Sequence, residues 1–415
     1  MKTLGIFLNN KGTADVDVSH LEMGNPGMGG TQFEFFILIN ELKKRNIYRI
    51  IYFGTALQAG LDNIETVVVD NIYEAFDKCN ELNVDILISR DGGYDKLDIL
   101  LNTKVIYWVH NFIPYEFCKE VGRNNIVKRI VFVSYQHRDF YLEMNIAKKA
   151  EVIFNAFYLP EKIEIENNKK NQVVFIGNIV PIKKLHVITK MWPNIVKKIP
   201  DAKLVVIGTG KTANRSKIMG KYGIAEEAYE KIILEPLLKT NTLNSVEFTG
   251  VMGAEKKEII KKSKVAVAPN DKETFCISAL EYNLSGVPVV GIAKGGINDV
   301  VINKKTGFLY KTNKGIEKGI IDILLNKKNI DNLPNGIEYF QNNFSVSKFV
   351  DKWIKLINEV DNDLDPSKIK AKKPFDDKYK WAGIILMFFR KVLHLPDFFS
   401  RVGIAAEYSK RRKHG

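Results

Sequence analysis

The sequence predicts an α/β protein built as two open, parallel-sheet domains in one chain. Three observations carry that expectation. Apolar residues come in short uninterrupted blocks rather than in alternation, which marks strands buried on both faces by covering helices. Segments of helical periodicity stand between those blocks. The series then breaks at a charged stretch over residues 160–171, PEKIEIENNKKN, and restarts beyond it. With 415 residues the chain has room for two cores. Its 45% hydrophobic and 27% charged content excludes disorder, collagen and coiled coil as a description of the whole.

Along the first domain, placed at residues 1–158, the strand candidates are 4–9, 49–53, 66–69, 85–89, 104–110, 130–134 and 151–155. A polar, glycine-rich stretch after the first strand leads into a helix over 32–42, and further helices fit at 72–82 and 137–144. The second domain, placed at 172–344, opens with a strand at 172–176 and a helix at 185–199. Strands at 202–207, 246–249, 265–268 and 288–291 follow, with a helix at 256–262. Residues 307–310 suit an edge strand before a helix at 315–325. The stretch 209–244 is too long and too charged for an ordinary connection and predicts a helical excursion. A helix over 345–360 carries Val346, Phe349, Val350, Trp353, Ile354 and Ile357 on one face. Ligands of open α/β domains sit beyond the carboxyl ends of the strands, so two such domains facing each other predict a site in the cleft between them.

Several patterns mislead. Cys79, Cys118 and Cys276 stand far apart without a CxxC pair and give neither a disulfide framework nor a thiolate zinc site. The six histidines lack metal-ligand spacing, so no protein-built metal centre is expected. The run GTGKT at 208–212 imitates a phosphate loop, but Val205 stands where its first glycine belongs. PGMGGTQ fails as a dinucleotide fingerprint because Gln32 takes the place of the third glycine.

The remaining candidates concern sugars and phosphates. Gly29 and Gly30 precede the helix at 32–42, where small residues admit a ligand to the backbone and free N–H groups favour an anion. A turn that needs glycine only for its backbone angles reads the same. Glu273 and Glu281 are eight apart in ETFCISALE, with Phe275, Ile277, Ala279 and Leu280 between them. Such carboxylates can each accept from the vicinal hydroxyls of a ribose or hexose, the alternative being solvated surface groups. Lys183 and Lys184 follow the strand at 172–176 and can neutralise a diphosphate, or simply decorate the surface. Backbone amides at Gly295 and Gly296, after the strand at 288–291, can wrap phosphate oxygens. In the first domain His110 ends a strand, where it bonds a hydroxyl or carries a proton unless it is a structural histidine. Asn155 ends the last strand of that domain and can line the same cleft.

The spacing E-x7-E followed by SGVPVVGIAKGG and TGFL resembles the retaining, family-4-like glycosyltransferases, which use nucleotide-sugar donors in a two-Rossmann (GT-B) fold. GNIVPIKKL resembles their G-R-x-x-x-x-K-G segment, GMGGTQFE their amino-terminal glycine-rich loop, and WVHN their histidine-bearing strand end. The resemblance spans residues 1–360 and is specific to the superfamily, not to a substrate. It implies two facing Rossmann-like domains with an interdomain cleft. It also implies metal-independent hexosyl transfer from a UDP- or GDP-sugar to a glycan or lipid-linked acceptor. On that resemblance Glu281 holds the ribose hydroxyls, Glu273 contacts the transferred sugar and Lys183 neutralises the diphosphate with amides near Gly30, Gly295 and Gly296. His110 bonds the donor sugar and stabilises charge during transfer, and the helix at 345–360 crosses back to the first domain. Asn178 stands where the family has arginine and Lys184 where it has glycine. Either Lys184 supplies the missing cation or amides hold the diphosphate.

Charge separates the tail from the body. The chain carries 62 Lys and Arg against 48 Asp and Glu, a net +14, yet residues 368–413 alone hold 13 against 4, a net +9. WAGIILMFF at 381–389, followed by interspersed cations, is too short to span a bilayer. The tail at 361–415 therefore predicts a basic amphipathic segment on an anionic membrane surface, or one that packs on the body or a partner copy. The aromatics cluster too tightly for a nucleic-acid groove. A signal-free amino terminus completes the expectation of a cytoplasmic enzyme, peripheral on the inner face of the plasma membrane, in bacterial surface polysaccharide synthesis. Alternatives are another nucleotide-sugar enzyme such as an epimerase or phosphorylase, and a non-catalytic glycan-binding or scaffold protein that retains the fold.

Overall fold

The computed structural model describes residues 1–211, 218–328, 330 and 333–366, with positions 385, 388, 389, 392 and 393 of the C-terminal segment. Its contacts define two units: Met1–Ser19, Glu34–Ala156 and the chain from Val346 in one, His20–Phe33 and Phe157–Ser345 in the other.

The first unit holds a seven-stranded sheet made of β1 (Thr3–Leu8), β2 (Arg49–Gly54), β3 (Glu65–Val68), β4 (Ile86–Ser89), β5 (Lys104–Val109), β6 (Val127–Phe132) and β7 (Ala150–Val152). The strands are parallel in the order β3-β2-β1-β4-β5-β6-β7, with Ile6 opposite Tyr52 on one side and Ile88 on the other. Every residue of β1 and β4 is buried, which explains their unbroken apolar runs. Its helices are α1 (Gly30–Arg45), whose first turn groups with the other unit, α2 (Ile72–Glu81), α3 (Tyr115–Arg123) and α4 (Tyr135–Asp139). Asn71 starts α2 by accepting from the backbone N–H groups of Tyr73 and Glu74. The helix anticipated at 137–144 begins earlier and ends sooner, because Ser134 caps it by accepting from His137 N–H. Nothing in the sequence reading anticipated α3, whose buried stripe is only Phe117, Cys118 and Val121.

The second unit repeats the topology. Its strands are β8 (Lys170–Ile176), β9 (Lys203–Ile207), β10 (Val246–Gly250), β11 (Ser263–Ala268), β12 (Val289–Ile292) and β13 (Gly307–Tyr310), parallel in the order β10-β9-β8-β11-β12-β13. Its helices are α5 (Leu185–Lys198), α6 (Glu227–Lys239), α7 (Lys256–Lys261), α8 (Ile277–Leu284), α9 (Ile297–Val300), α10 (Asn313–Leu324) and α11 (Ile337–Phe344). The charged stretch at 160–171 lies on this unit: Ile163 is buried, and the Lys169 ammonium donates to the carbonyls of Ser263 and Gly286. The excursion anticipated within 209–244 is α6, steadied by Glu230, which accepts from Tyr222 N–H and Ile224 N–H.

The last helix, α12 (Val346–Asp361), belongs with the first unit. Trp353 meets Trp108 edge-on with ring centroids 4.9 Å apart, and Phe349 lies 5.7 Å from Trp108. Truncating a buried tryptophan of this kind costs about 3–5 kcal/mol. The end of α12 is held by cations from the amino ends of β5 and β6. Lys104 Nζ donates to the carbonyls of Val360 and Asp361 at 3.0 and 2.9 Å, and Arg129 Nη2 to that of Leu364 at 2.6 Å. The two Lys104 bonds satisfy carbonyls that helix geometry leaves unpaired and complement the helix dipole. Beyond residue 366 the basic tail lies outside the described residues, apart from the five positions given above.

In each sheet the strand order reverses between two neighbours, β1 and β4 in one, β8 and β11 in the other. Loops that leave the carboxyl ends at such a reversal diverge and open a crevice.

Candidate active site

The crevice of the second unit collects charged groups. Past β8 the chain turns through Pro181–Lys183 and enters α5 by way of Lys184, which adopts left-handed backbone angles, φ 58° and ψ 32°. A side chain in that conformation costs about 1–2 kcal/mol, and glycine escapes most of it. The turn thus has a physical reason to prefer glycine at 184, and this chain has lysine instead. Asn178, earlier in the loop, keeps a buried Oδ1 without a hydrogen-bond partner.

Past β11 the loop begins with Asn270, whose Oδ1 accepts from Lys272 N–H at 2.8 Å. It brings two carboxylates to the two lysines. Lys183 Nζ donates to Glu273 Oε1 at 2.6 Å, and Lys184 Nζ lies 2.7 Å from Asp271 Oδ1. Burial works to lower the Lys183 pKa, but the Glu273 charge outweighs it and the net shift is upward. Asp271 shows the reverse balance: burial pushes its pKa up, and the bond and charge of Lys184, aided by Lys294, bring it below the ordinary carboxylate value. Asp271 was not anticipated; its signal was a carboxylate two residues before Glu273 on a strand-end loop.

Gly295 and Gly296 lie against the loop that carries Glu273. Gly296 N–H donates to the Glu273 carbonyl at 2.7 Å and so is already engaged. A Cβ at Gly295 would lie 2.4 Å from that same oxygen, and one at Gly296 would lie 2.1 Å from the Thr274 carbonyl. These glycines let two backbones touch and thereby hold Glu273 in position.

From that loop Phe275 packs edge-on against Phe344, and Cys276, at φ 78°, turns the chain into α8. Glu281 lies in the second turn of α8, buried, with its Oε1 2.9 Å from Lys256 Nζ. Tyr282 next to it accepts from Ile176 N–H, which pins α8 to the end of β8. The amino-terminal glycine turn reaches the same unit. Asn25 Oδ1 accepts from Gly27 N–H and Met28 N–H, and Lys256 Nζ donates to the Asn25 carbonyl at 3.1 Å. A Cβ on Gly30 would sit 3.4 Å from Ile277, and one on Gly29 would sit 3.2 Å from Gln32 Oε1. The second unit thus gathers Gly29, Gly30, Lys183, Lys184, Glu273, Glu281, Gly295 and Gly296. Lys256, expected only as the start of a helix at 256–262, was not anticipated as part of the site.

His110 sits in the first unit, at the carboxyl end of β5. It is buried, with its ring 4.6 Å from Trp108 and 5.8 Å from Phe35. Desolvation, then the charges of Arg90 and His137, hold its pKa well below the ordinary histidine value, so it is a neutral imidazole at pH 7. Asn155 is buried after β7, near the Ala156 N–H that donates to Glu34 Oε2 at 2.9 Å. Among the described residues no cluster of three His, Cys, Asp or Glu is placed to hold a metal ion.

Comparison with known proteins places the chain among sugar-transferring enzymes of this fold. Residues 160–338 match the model of the glycosyl transferases group 1. An uncharacterized glycosyltransferase of Haemophilus influenzae is 22% identical over 287 residues, 66% of this chain and 76% of that protein. The capsular polysaccharide biosynthesis glycosyltransferase CapM of Staphylococcus aureus is 26% identical over 239 residues; the match covers 52% of this chain and a little over half, 57%, of CapM. Among solved structures, Anabaena HepE in complex with UDP superposes with a TM-score of 0.65 at 15% identity, covering 86% of this chain and 100% of that one.

Proposed function

We propose that this chain, a GT-B-fold glycosyltransferase related to the group 1 glycosyl transferases, moves a hexosyl group from a nucleoside-diphosphate sugar to a glycan or lipid-linked acceptor, with retention of configuration. The observation that carries the reading is the 2.6 Å contact between Lys183 and Glu273 at the reversal of the second sheet. Cleaving a glycosyl–phosphate bond builds negative charge on the departing diphosphate and positive charge at the anomeric carbon. Lys183 and Lys184 each exchange a carboxylate for phosphate oxygens when the donor enters. Glu273, released from its lysine, accepts from hydroxyls of the transferred sugar, while Glu281 takes those of the ribose. His110 bonds the sugar as a neutral group and adds no charge of its own. The acceptor hydroxyl attacks from the side the diphosphate leaves and passes its proton to a phosphate oxygen as the old C–O bond breaks.

Similarity to CapM supports a place in surface polysaccharide synthesis. Ile385, Phe388, Phe389, Val392 and Leu393 support a peripheral contact with an anionic leaflet: all five are helical and exposed, at the three- and four-residue spacing of one helix face. Among the described residues no helix is long and apolar enough to cross a membrane.

A panel of nucleotide sugars tests the reading. Saturable hydrolysis or transfer with one donor, lost in Glu281→Ala, is the expected result, and failure to bind any nucleotide would overturn it. Liposome sedimentation with and without residues 374–415, at low and high salt, tests the membrane contact; sedimentation unaffected by the deletion rejects it.

A further inference from the structure

Lys256 has no task in the chemistry above, yet it is among the most buried cations of its unit. It opens α7, and only 8% of its side chain is exposed, against 7% for its partner Glu281. An ammonium tolerates such burial where protein acceptors replace water. Two do so here, Glu281 Oε1 at 2.9 Å and the Asn25 carbonyl at 3.1 Å. The first belongs to the carboxylate assigned to the ribose. The second opens the turn whose glycines reach toward Ile277, four residues before that carboxylate. Gly27 of the same turn rests on Val251 and Met252, just before Lys256 in the chain.

We infer that Lys256 is a positioning residue: it fixes the orientation of the Glu281 carboxylate toward a ribose. The inference rests on the donor reading above. A carboxylate accepts from two vicinal hydroxyls only when its plane is set, and Lys256 holds one of its two oxygens. Lys256 touches no substrate atom in this account. Its effect is confined to how well the site distinguishes a nucleotide that has ribose hydroxyls from one that lacks them.

That distinction is measurable. The dissociation constants of UDP, GDP and their 2′,3′-dideoxy counterparts are determined by titration calorimetry for the full chain and for Lys256→Gln and Lys256→Arg, with thermal melting as the check on folding. The wild-type chain should prefer the ribose form of its nucleotide about 10-fold or more, the size expected of hydrogen bonds to a charged group. Lys256→Gln should shrink that preference to within about twofold while leaving the dideoxy affinity nearly unchanged. Lys256→Arg keeps the charge but presents a rigid fork in place of a point charge, so it should shrink the preference only in part. Full ribose preference in either variant that melts like the wild type would overturn the inference, as would an equal loss of both affinities. If the wild-type chain binds no nucleoside diphosphate, the donor reading falls and this inference falls with it; if it binds the ribose and dideoxy forms equally, only the ribose role of Glu281 and its support by Lys256 fall.

Discussion

The two units share a strand order and differ in what their carboxyl edges carry. In the second, cations and carboxylates meet in three pairs, Lys183 with Glu273, Lys184 with Asp271 and Lys256 with Glu281. In the first, the corresponding rim carries the Arg90–Asp91 ion pair past β4 and, past β5, a neutral imidazole seated on aromatic rings. The topology therefore sets where a site opens, and the loops decide its chemistry. A departing diphosphate needs positive charge, and the proposed donor role draws it from the lysines of the charged rim.

The contrast is most exposed at Lys183. Lys183→Ala should lower turnover with the donor about 10²–10³-fold, the usual loss when one preorganised group facing developing negative charge is removed. A loss below tenfold in steady-state kinetics would mean that Lys184 or amides carry the diphosphate. Gly296→Ala tests support rather than charge. Its Cβ would press on the Thr274 carbonyl, 2.1 Å away, and displace the loop that holds Glu273. A shift of this kind costs about 10²-fold in turnover, and wild-type rates would show that the loop yields without consequence.

The buried histidines of the first unit make their own prediction. His110 and His137 are buried as imidazoles, with desolvation the first cause of both lowered pKa values, His137 falling to about 3. The unfolded chain takes up these protons near pH 6.5 and the folded chain does not. Stability is therefore complete above that pH and falls as acid is added, by up to about 1.4 kcal/mol per pH unit for each histidine. Melting temperatures from pH 7.5 to 5 should show the decline, and His137→Gln should flatten it. A slope indifferent to that substitution would assign the decline to other groups. The smallest effect is at Lys184, where Lys184→Gly relieves about 1 kcal/mol of left-handed strain, part of it offset by the freer unfolded chain. The melting point should hold or rise slightly, while the donor KM rises a few-fold if the Lys184 ammonium binds phosphate. An unchanged KM would leave Lys184 paired with Asp271 for structure alone.

Much of this was legible in the sequence because its causes are local. Strands buried on both faces must be unbroken apolar runs, so β1, β2, β5, β8 and β11 announce themselves. Glu273, Glu281 and Lys183 declare their place by distance from a strand end. What escaped depends on residues far apart or on backbone angles. Lys256 looks solvated until α8 and the turn at Asn25 close over it. The same two letters at Gly295 and Gly296 serve an amide cradle or a tight backbone contact, and only the Glu273 and Thr274 carbonyls decide between them. The αL turn at Lys184 is invisible because lysine gives no hint of it.

The grip of Lys104 on the last turn of α12, and of Arg129 on Leu364 just beyond it, has a practical side. Both lie at the starts of their strands, whereas His110 follows the far end of β5. Whatever is spliced on after residue 366, a fluorescent reporter or an affinity handle, would be tethered to the rim of that sheet remote from His110. The mooring would sit upstream of the splice, so a graft of this kind should leave α12 docked on its sheet.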